Sequence, residues 1–121
     1  MKQTFAWIVV AFVIAGGFTW YAIKSKNPNV PNKYDAFAQC LASKQTTMYG
    51  AAWCSHCQAQ KKEFGTSFKY VPYVECPENT KLCTDKGVEG FPTWISSEGK
   101  KLVGEQSFEK LAELSGCQLP Q

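Results

Sequence analysis

Apolar positions along this chain follow three successive patterns. From Phe5 to Ile23, FAWIVVAFVIAGGFTWYAI, no residue carries a formal charge. At 1.5 Å per residue, a helix of that length spans roughly 28 Å, close to the hydrocarbon thickness of a bilayer. Trp7 lies near one end and Trp20 and Tyr21 near the other, where amphipathic rings prefer the headgroup zone. The pattern predicts an N-terminal membrane anchor over residues 1–23. A cleaved leader is the competing reading, but its apolar stretch is usually shorter, and Ala15-Gly16-Gly17 is the only passable small-residue run. The apolar run then stops. KSKNPNVPN (24–32) has prolines, asparagines and no apolar period, which reads as a tether stiffened at Pro28 and Pro31.

From residue 33 onward a helical and a strand period alternate. In NKYDAFAQCLASK, Tyr34, Phe37, Ala38, Leu41 and Ala42 recur at the spacing of one helical face, with Asn32 as cap and Asp35 in the first turn. TTMYGA (46–51) reads as a strand, and a second helix opens at Cys54 and runs to Gly65. FKYVPYVEC (68–76) is rich in strand formers, with Pro72 marking an edge or irregular strand. PENTKLCTDKG (77–87) reads as a helix with Pro77 in its first turn and Gly87 as its stop. TWIS and KKLVG flank Ser97-Glu98-Gly99 as a hairpin. SFEKLAELSG closes the series as a helix capped by Ser107, with Phe108, Leu111 and Ala112 on one face and Gly116 as terminator. Helices alternating with strands and ending in a hairpin predict an α/β domain, residues 33–121, with a mixed central sheet flanked by helices.

Length and charge narrow the class. The chain has 121 residues and a net charge of +3 that is not concentrated, so there is no case for nucleic-acid binding. Six cysteines in so short a chain point to an oxidising compartment, where disulfides persist. Lys2 before the apolar span is matched by Lys24, Lys26 and Lys33 after it, so flanking charge does not set orientation. The cysteines do: the expected topology is a single-pass membrane protein with its soluble domain on the oxidising, extracytoplasmic side.

The chemistry concentrates in YGAAWCSHCQAQKK (49–62), where Cys54 and Cys57 stand two residues apart after a strand. A helix that starts there offers unpaired N–H groups and about half a positive charge, which favours a thiolate on the first cysteine. Cys54 is then the exposed nucleophile. Cys57, one turn on and more buried, resolves the mixed disulfide. His56, if protonated or donating, stabilises the Cys54 thiolate and makes the couple more oxidising; otherwise it is a solvent-facing helix residue. Two other readings of the pair stay open. Cys54, Cys57, Cys76 and Cys83 read as C-x2-C-x18-C-x6-C, but a zinc knuckle wants the second pair two residues apart rather than six. A permanent staple across so tight a loop is readily reduced. Trp53 and Ser55 border the nucleophile as candidate groove residues, with plain packing the other role for Trp53. Trp94 reads as core, and Glu75 as an exposed strand-end acid, with a buried titrating group near the sulfurs as its other role.

WCSHC behind an apolar strand, with GFPTW (90–94) further along, resembles the thioredoxin superfamily. The resemblance implies a thioredoxin-like fold in which Pro92 follows a cis peptide bond and packs beside the sulfurs. It also implies that the backbone of Phe91 pairs with the bound substrate chain. More narrowly, MYGAAWCSHCQAQKKEFG, YVPYVECPE, GVEGFPTWI and GEQSFEKLAELSGC together are similar to the thioredoxin-like domain fused to vitamin K epoxide reductase homologues. Such fusions couple disulfide formation to membrane quinones. The match covers roughly residues 33–117, without the several-helix reductase module. The chain departs from pattern twice: Ser55-His56 replaces that family's commoner Pro-His, and Met48 stands where many thioredoxin-like proteins place a buried acid that relays a proton from the resolving thiol.

The remaining cysteines are expected to be structural. A Cys76–Cys83 bond would close a short loop worth about 2–3 kcal/mol, and a Cys40–Cys117 bond a long one worth roughly 4 kcal/mol. Spacing does not dictate this connectivity, and a second redox pair at 76/83 is the competing role. The expected function is a membrane-anchored thiol–disulfide oxidoreductase with no metal or organic cofactor. It passes oxidising equivalents between a quinone-coupled, vitamin K epoxide reductase-like partner and the thiols of secreted proteins. The alternatives are a reductant or isomerase of the same compartment and, in another class, a zinc- or disulfide-stabilised binding module without turnover.

Overall fold

A computed structural model describes residues 31–121; the anchor expected at 1–23 and residues 24–30 of the expected linker lie outside the described residues. Among the described residues no helix is long and apolar enough to cross a membrane. The hydrogen bonding of the domain begins at Asn32, which the linker reading had assigned to the tether. Its Oδ1 accepts from Tyr34 N–H at 3.2 Å, its own N–H donates to Asp35 Oδ2 at 3.1 Å, and its Nδ2 donates to Phe64 O and Thr66 Oγ1. Asn32 therefore caps the helix entry through an Asx turn, and Tyr34 occupies the cap position itself.

Helix α1 (Asp35–Ser43) buries Phe37, Ala38 and Leu41; Ala42, assigned to the same face, is exposed. Strand β1 (Thr47–Gly50) leads into α2 (Ser55–Phe64), which ends at Gly65 with a positive φ of 56° and carries Lys61 and Lys62 in its last turn. The stretch expected as a strand over 68–76 divides. Gly65–Tyr70 winds as a 3-10 helix, and only Tyr73–Glu75 is strand, β2. Strand-forming composition loses here to one long-range hydrogen bond and one local ring cluster. Ser67, fully buried, donates to Asp35 Oδ1 at 2.7 Å, and Phe68 meets both Phe64 and Tyr73 edge to face. The helix expected over 77–87 also divides: a 3-10 turn at Cys76–Glu78, then α3 (Thr80–Asp85), with the break at Asn79, whose side chain donates to Glu75 O. Strands β3 (Thr93–Ile95) and β4 (Lys101–Val103) form the expected hairpin, and α4 (Phe108–Ser115) runs from its Ser107 cap to a left-handed Gly116.

The sheet order is β2-β1-β3-β4, with β1 and β2 parallel and the other pairs antiparallel. This is the mixed, helix-flanked sheet that the alternating periods predict, and the α/β fold that the resemblance implies. Alternation along the strands then sorts the core into two faces. Met48, Trp94 and Tyr73, in register with one another, face the cluster built by Phe37, Leu41, Cys57, Phe64 and Leu111 of α1, α2 and α4. Tyr49, Val74 and Ile95 face Cys76 and Cys83 on the other side. Gln60 of α2 ties the larger layer together, its Oε1 accepting from Trp94 Nε1–H at 3.2 Å and from Gln106 N–H at 2.7 Å.

Candidate active site

Strand β1 ends at Gly50, and the chain turns through Ala51, Ala52 and Trp53 into α2. That turn is clamped from both sides. Ala52 N–H donates to Glu75 Oε1 at 2.8 Å, and Gln58 Nε2 donates back to Ala52 O at 2.7 Å. Cys54 is the N-cap of α2 in extended conformation, and its Sγ accepts the N–H of Cys57 at 3.2 Å. The first cysteine thus does what a serine or aspartate does at a helix start, placing its sulfur against the positive end of the helix. In turning back over its own helix, Cys54 falls to 7% exposure, so the nucleophile expected to be exposed is nearly covered; Cys57 has no exposed surface at all.

All six cysteines lie within the described residues, and the structure sorts them. Cys40 joins Cys117 and Cys76 joins Cys83, the two pairings anticipated, while Cys54 and Cys57 are free thiols. With Cys76 and Cys83 bonded to each other, the four-cysteine zinc set is dissolved, because neither can supply a thiolate. Burial, and a hydrogen bond with Cys54, push the Cys57 thiol up to about 11; the Ala51 backbone and Lys61 act against the rise.

The other expected site residues divide between the start of α2 with the turn before it and the loop that ends at Pro92. Ser55, exposed, is the first residue of α2. The side chain of His56 is 70% exposed, and its Nδ1 lies 2.7 Å from Glu105 Oε2, a partner forty-nine positions away that spacing gave no sign of. The Phe91–Pro92 bond is cis, and Pro92 is buried, with its carbonyl accepting from Gly104 N–H at 2.7 Å. Trp53, 72% exposed, meets the half-buried Phe91 edge to face at 6.0 Å, so the loop before Cys54 and the loop before Pro92 join in one apolar surface. That surface continues into a depression of about 270 Å³ lined by Phe91, Val88, Thr80 and the Cys76–Cys83 bridge.

Three further residues bear on the sulfurs. A β-carbon on Gly50 would stand 2.8 Å from Cys57 Sγ and 3.3 Å from the Tyr73 ring, so this position must be glycine for the sulfur to fit. Tyr73 donates its hydroxyl proton to Glu75 Oε2. That bond and the Ala52 N–H hold the Glu75 carboxyl below the usual carboxylate range, while burial and the same carboxylate push the Tyr73 phenol up. Glu75, expected to be exposed, is half-buried, because the turn before Cys54 and the Tyr73 hydroxyl both bond to its carboxylate. The i, i+2 spacing of Tyr73 and Glu75 on a strand was the available signal for this pair.

No family model matches the chain. It is 45% identical over 95 residues to "Thiol-disulfide oxidoreductase LTO1" of Arabidopsis thaliana, covering 71% of this chain and 25% of that protein. To "Protein disulfide isomerase-like 2-2" of Oryza sativa subsp. japonica it is 40% identical over 76 residues, 52% of this chain and 20% of the relative. A probable protein disulfide-isomerase A6 of Medicago sativa is 37% identical over 76 residues, again 52% of this chain and 21% of the relative. The chain spans a quarter or less of the length of these curated relatives.

Proposed function

We propose that this chain, whose described domain belongs to the thioredoxin superfamily, exchanges disulfides with protein thiols through Cys54 and Cys57. The observation that carries this reading is the sorting of the cysteines. Four are locked in bridges, and the two left free stand at the start of α2, with the first sulfur accepting the N–H of the second residue. A dithiol in that place can accept and release a disulfide without disturbing the fold.

In this reading Cys54 is the sulfur that bonds to substrate and Cys57 the one that closes on it. Trp53, Ser55 and Phe91 border the groove, cis-Pro92 shapes it, and His56, steadied by Glu105, stands beside the nucleophile in sequence. The exposed Trp53–Phe91 surface favours an extended, apolar polypeptide segment as substrate over a small thiol. The finer proposal is that residues 1–23 hold the domain at a membrane on its oxidising side. There it carries oxidising equivalents from a quinone-coupled, vitamin K epoxide reductase-like protein to secreted chains. The sequence similarity quoted for residues 33–117, the uncharged run from Phe5 to Ile23 and the two stable bridges support it.

A Cys57→Ser variant, expressed as the full chain in its native compartment, should accumulate as mixed disulfides through Cys54, and Cys54→Ser should abolish them. Mass spectrometry of the trapped partners would identify both substrates and the membrane protein. Trapping through neither cysteine would overturn the exchange reading. Titration against glutathione gives the direction of flow: a potential near −120 mV marks an oxidant, and one near −270 mV a reductant, which would refute the oxidising role.

A further inference from the structure

Exchange requires Cys57 to exist as a thiolate in passing, yet its sulfur is fully buried in an apolar cluster, and the Gln60 amide buried in the same layer is already engaged with Trp94 and Gln106. A charge appearing there must be stabilised by something. Lys61 is placed to do so. It lies one helical turn beyond Cys57, an i, i+4 neighbour on the same face of α2. Its Nζ sits 3.7 Å from the centroid of the Tyr73 ring and 5.3 Å from that of Phe68, so two aromatic faces hold a half-buried ammonium against the sheet. Tyr73 in turn abuts the sulfur. One point, where a Gly50 β-carbon would stand, is 2.8 Å from Cys57 Sγ, 3.3 Å from Tyr73 Cε2 and 3.5 Å from Tyr73 Oη. The far end of the ring is anchored by its bond to Glu75, itself fixed by Ala52 N–H.

We propose that Lys61, seated on the Tyr73 ring, supplies the positive charge that stabilises the Cys57 thiolate during disulfide exchange, with Tyr73 as a positioning residue acting through it. The proposal rests on the exchange reading above. In the oxidising direction a substrate thiolate attacks Cys54 Sγ. A bond forms between those sulfurs, the Cys54–Cys57 bond breaks, and Cys57 leaves with the electron pair as a thiolate, which Lys61 holds until a solvent proton reaches it. A second substrate thiolate then attacks the substrate sulfur of the mixed disulfide and expels Cys54. Two substrate thiols have become a disulfide, and the Cys54–Cys57 pair has taken up two electrons. In reverse, the Cys57 thiolate attacks Cys54 Sγ and releases the bound sulfur. The other titratable groups near Cys57 are Cys54 at the helix cap and Tyr73 on β2, whose hydroxyl is held by Glu75. The titratable side chain of β1, Tyr49, packs into the opposite cluster.

The test uses the full chain with the 54/57 pair reduced and both bridges intact, mixed with an aromatic disulfide that releases a coloured thiol. One thiol departs when Cys54 attacks. A second departs when Cys57 closes on Cys54, at a rate independent of reagent concentration. Lys61→Met should move the pH profile of the second release upward and slow it about threefold to tenfold below its midpoint, the effect of roughly half to one pK unit. Lys61→Arg should restore the profile. Tyr73→Leu, which removes the ring, should reproduce the shift and add little to Lys61→Met. Lys81→Met, which removes an exposed lysine paired with Asp85 on α3, should leave the profile in place. A wild-type profile in Lys61→Met, or no rescue by arginine, overturns the proposal while leaving exchange intact. Absence of the concentration-independent release in the wild type would instead overturn the exchange reading, and the proposal with it.

Discussion

Cys57 holds its proton more tightly in the folded domain than in the unfolded chain, because burial pushes its thiol up to about 11 against an unfolded value of about 8.5. Between those two values the folded state binds more protons. The contribution to stability is therefore complete below about pH 8.5 and is lost as pH rises through about 11. The urea midpoint of the reduced domain should fall across that window more steeply than that of Cys57→Ser. Tyr49, also raised by burial, adds the same decline to both proteins and cancels in the comparison, whereas Tyr73, raised by burial, by Glu75 and in smaller part by Cys57, belongs partly to the linkage being read. Equal slopes would mean that the buried thiol is not linked to folding. At this scale the sequence was legible where spacing alone carries chemistry: Cys54 and Cys57 declare themselves, and cis-Pro92 follows from resemblance. Gly50, Lys61 and Glu105 did not, since each acquires its role only when a different element is brought against it.

Helix α2 connects site and core, for it begins at the sulfurs and ends on Phe64. That ring is fully buried and meets Phe108 at 4.8 Å, Trp94 at 6.0 Å and Phe37 at 6.3 Å, so one side chain joins α1, α2, β3 and α4. Phe64→Ala should cost about 3–5 kcal/mol in urea denaturation, the usual range for emptying a phenylalanine site in a core. A loss below about 1 kcal/mol would show that neighbouring rings collapse into the space. The order of helices and strands could be read from periodicity alone, because each amphipathic face has a counterpart in the sheet. What could not be read was residues 65–72. Phe68, Tyr70 and Val71 carry strand-like composition, but the backbone winds as a 3-10 helix anchored by the Ser67–Asp35 bond, which spans thirty-two positions and leaves no local trace in the sequence. Asn79 divides the next helix because its side chain donates back to the end of β2, four residues before it.

The whole domain is closed by the Cys40–Cys117 bond, which ties α1 to the residue after the terminator of α4 across a sequence separation of 77. By chain entropy that bridge is worth roughly 4 kcal/mol. Replacing both cysteines by serine should lower the unfolding free energy by about that amount while leaving the reactivity of Cys54 unchanged, as thiol alkylation in folding buffer would reveal. An unaltered denaturation midpoint would assign the bridge no energetic role. The two bridges have one more consequence. Newly synthesised copies of this chain emerge with six thiols, and reaching the folded form with both bridges takes four electrons away to an outside acceptor. Each copy is therefore itself a substrate of disulfide formation while it matures.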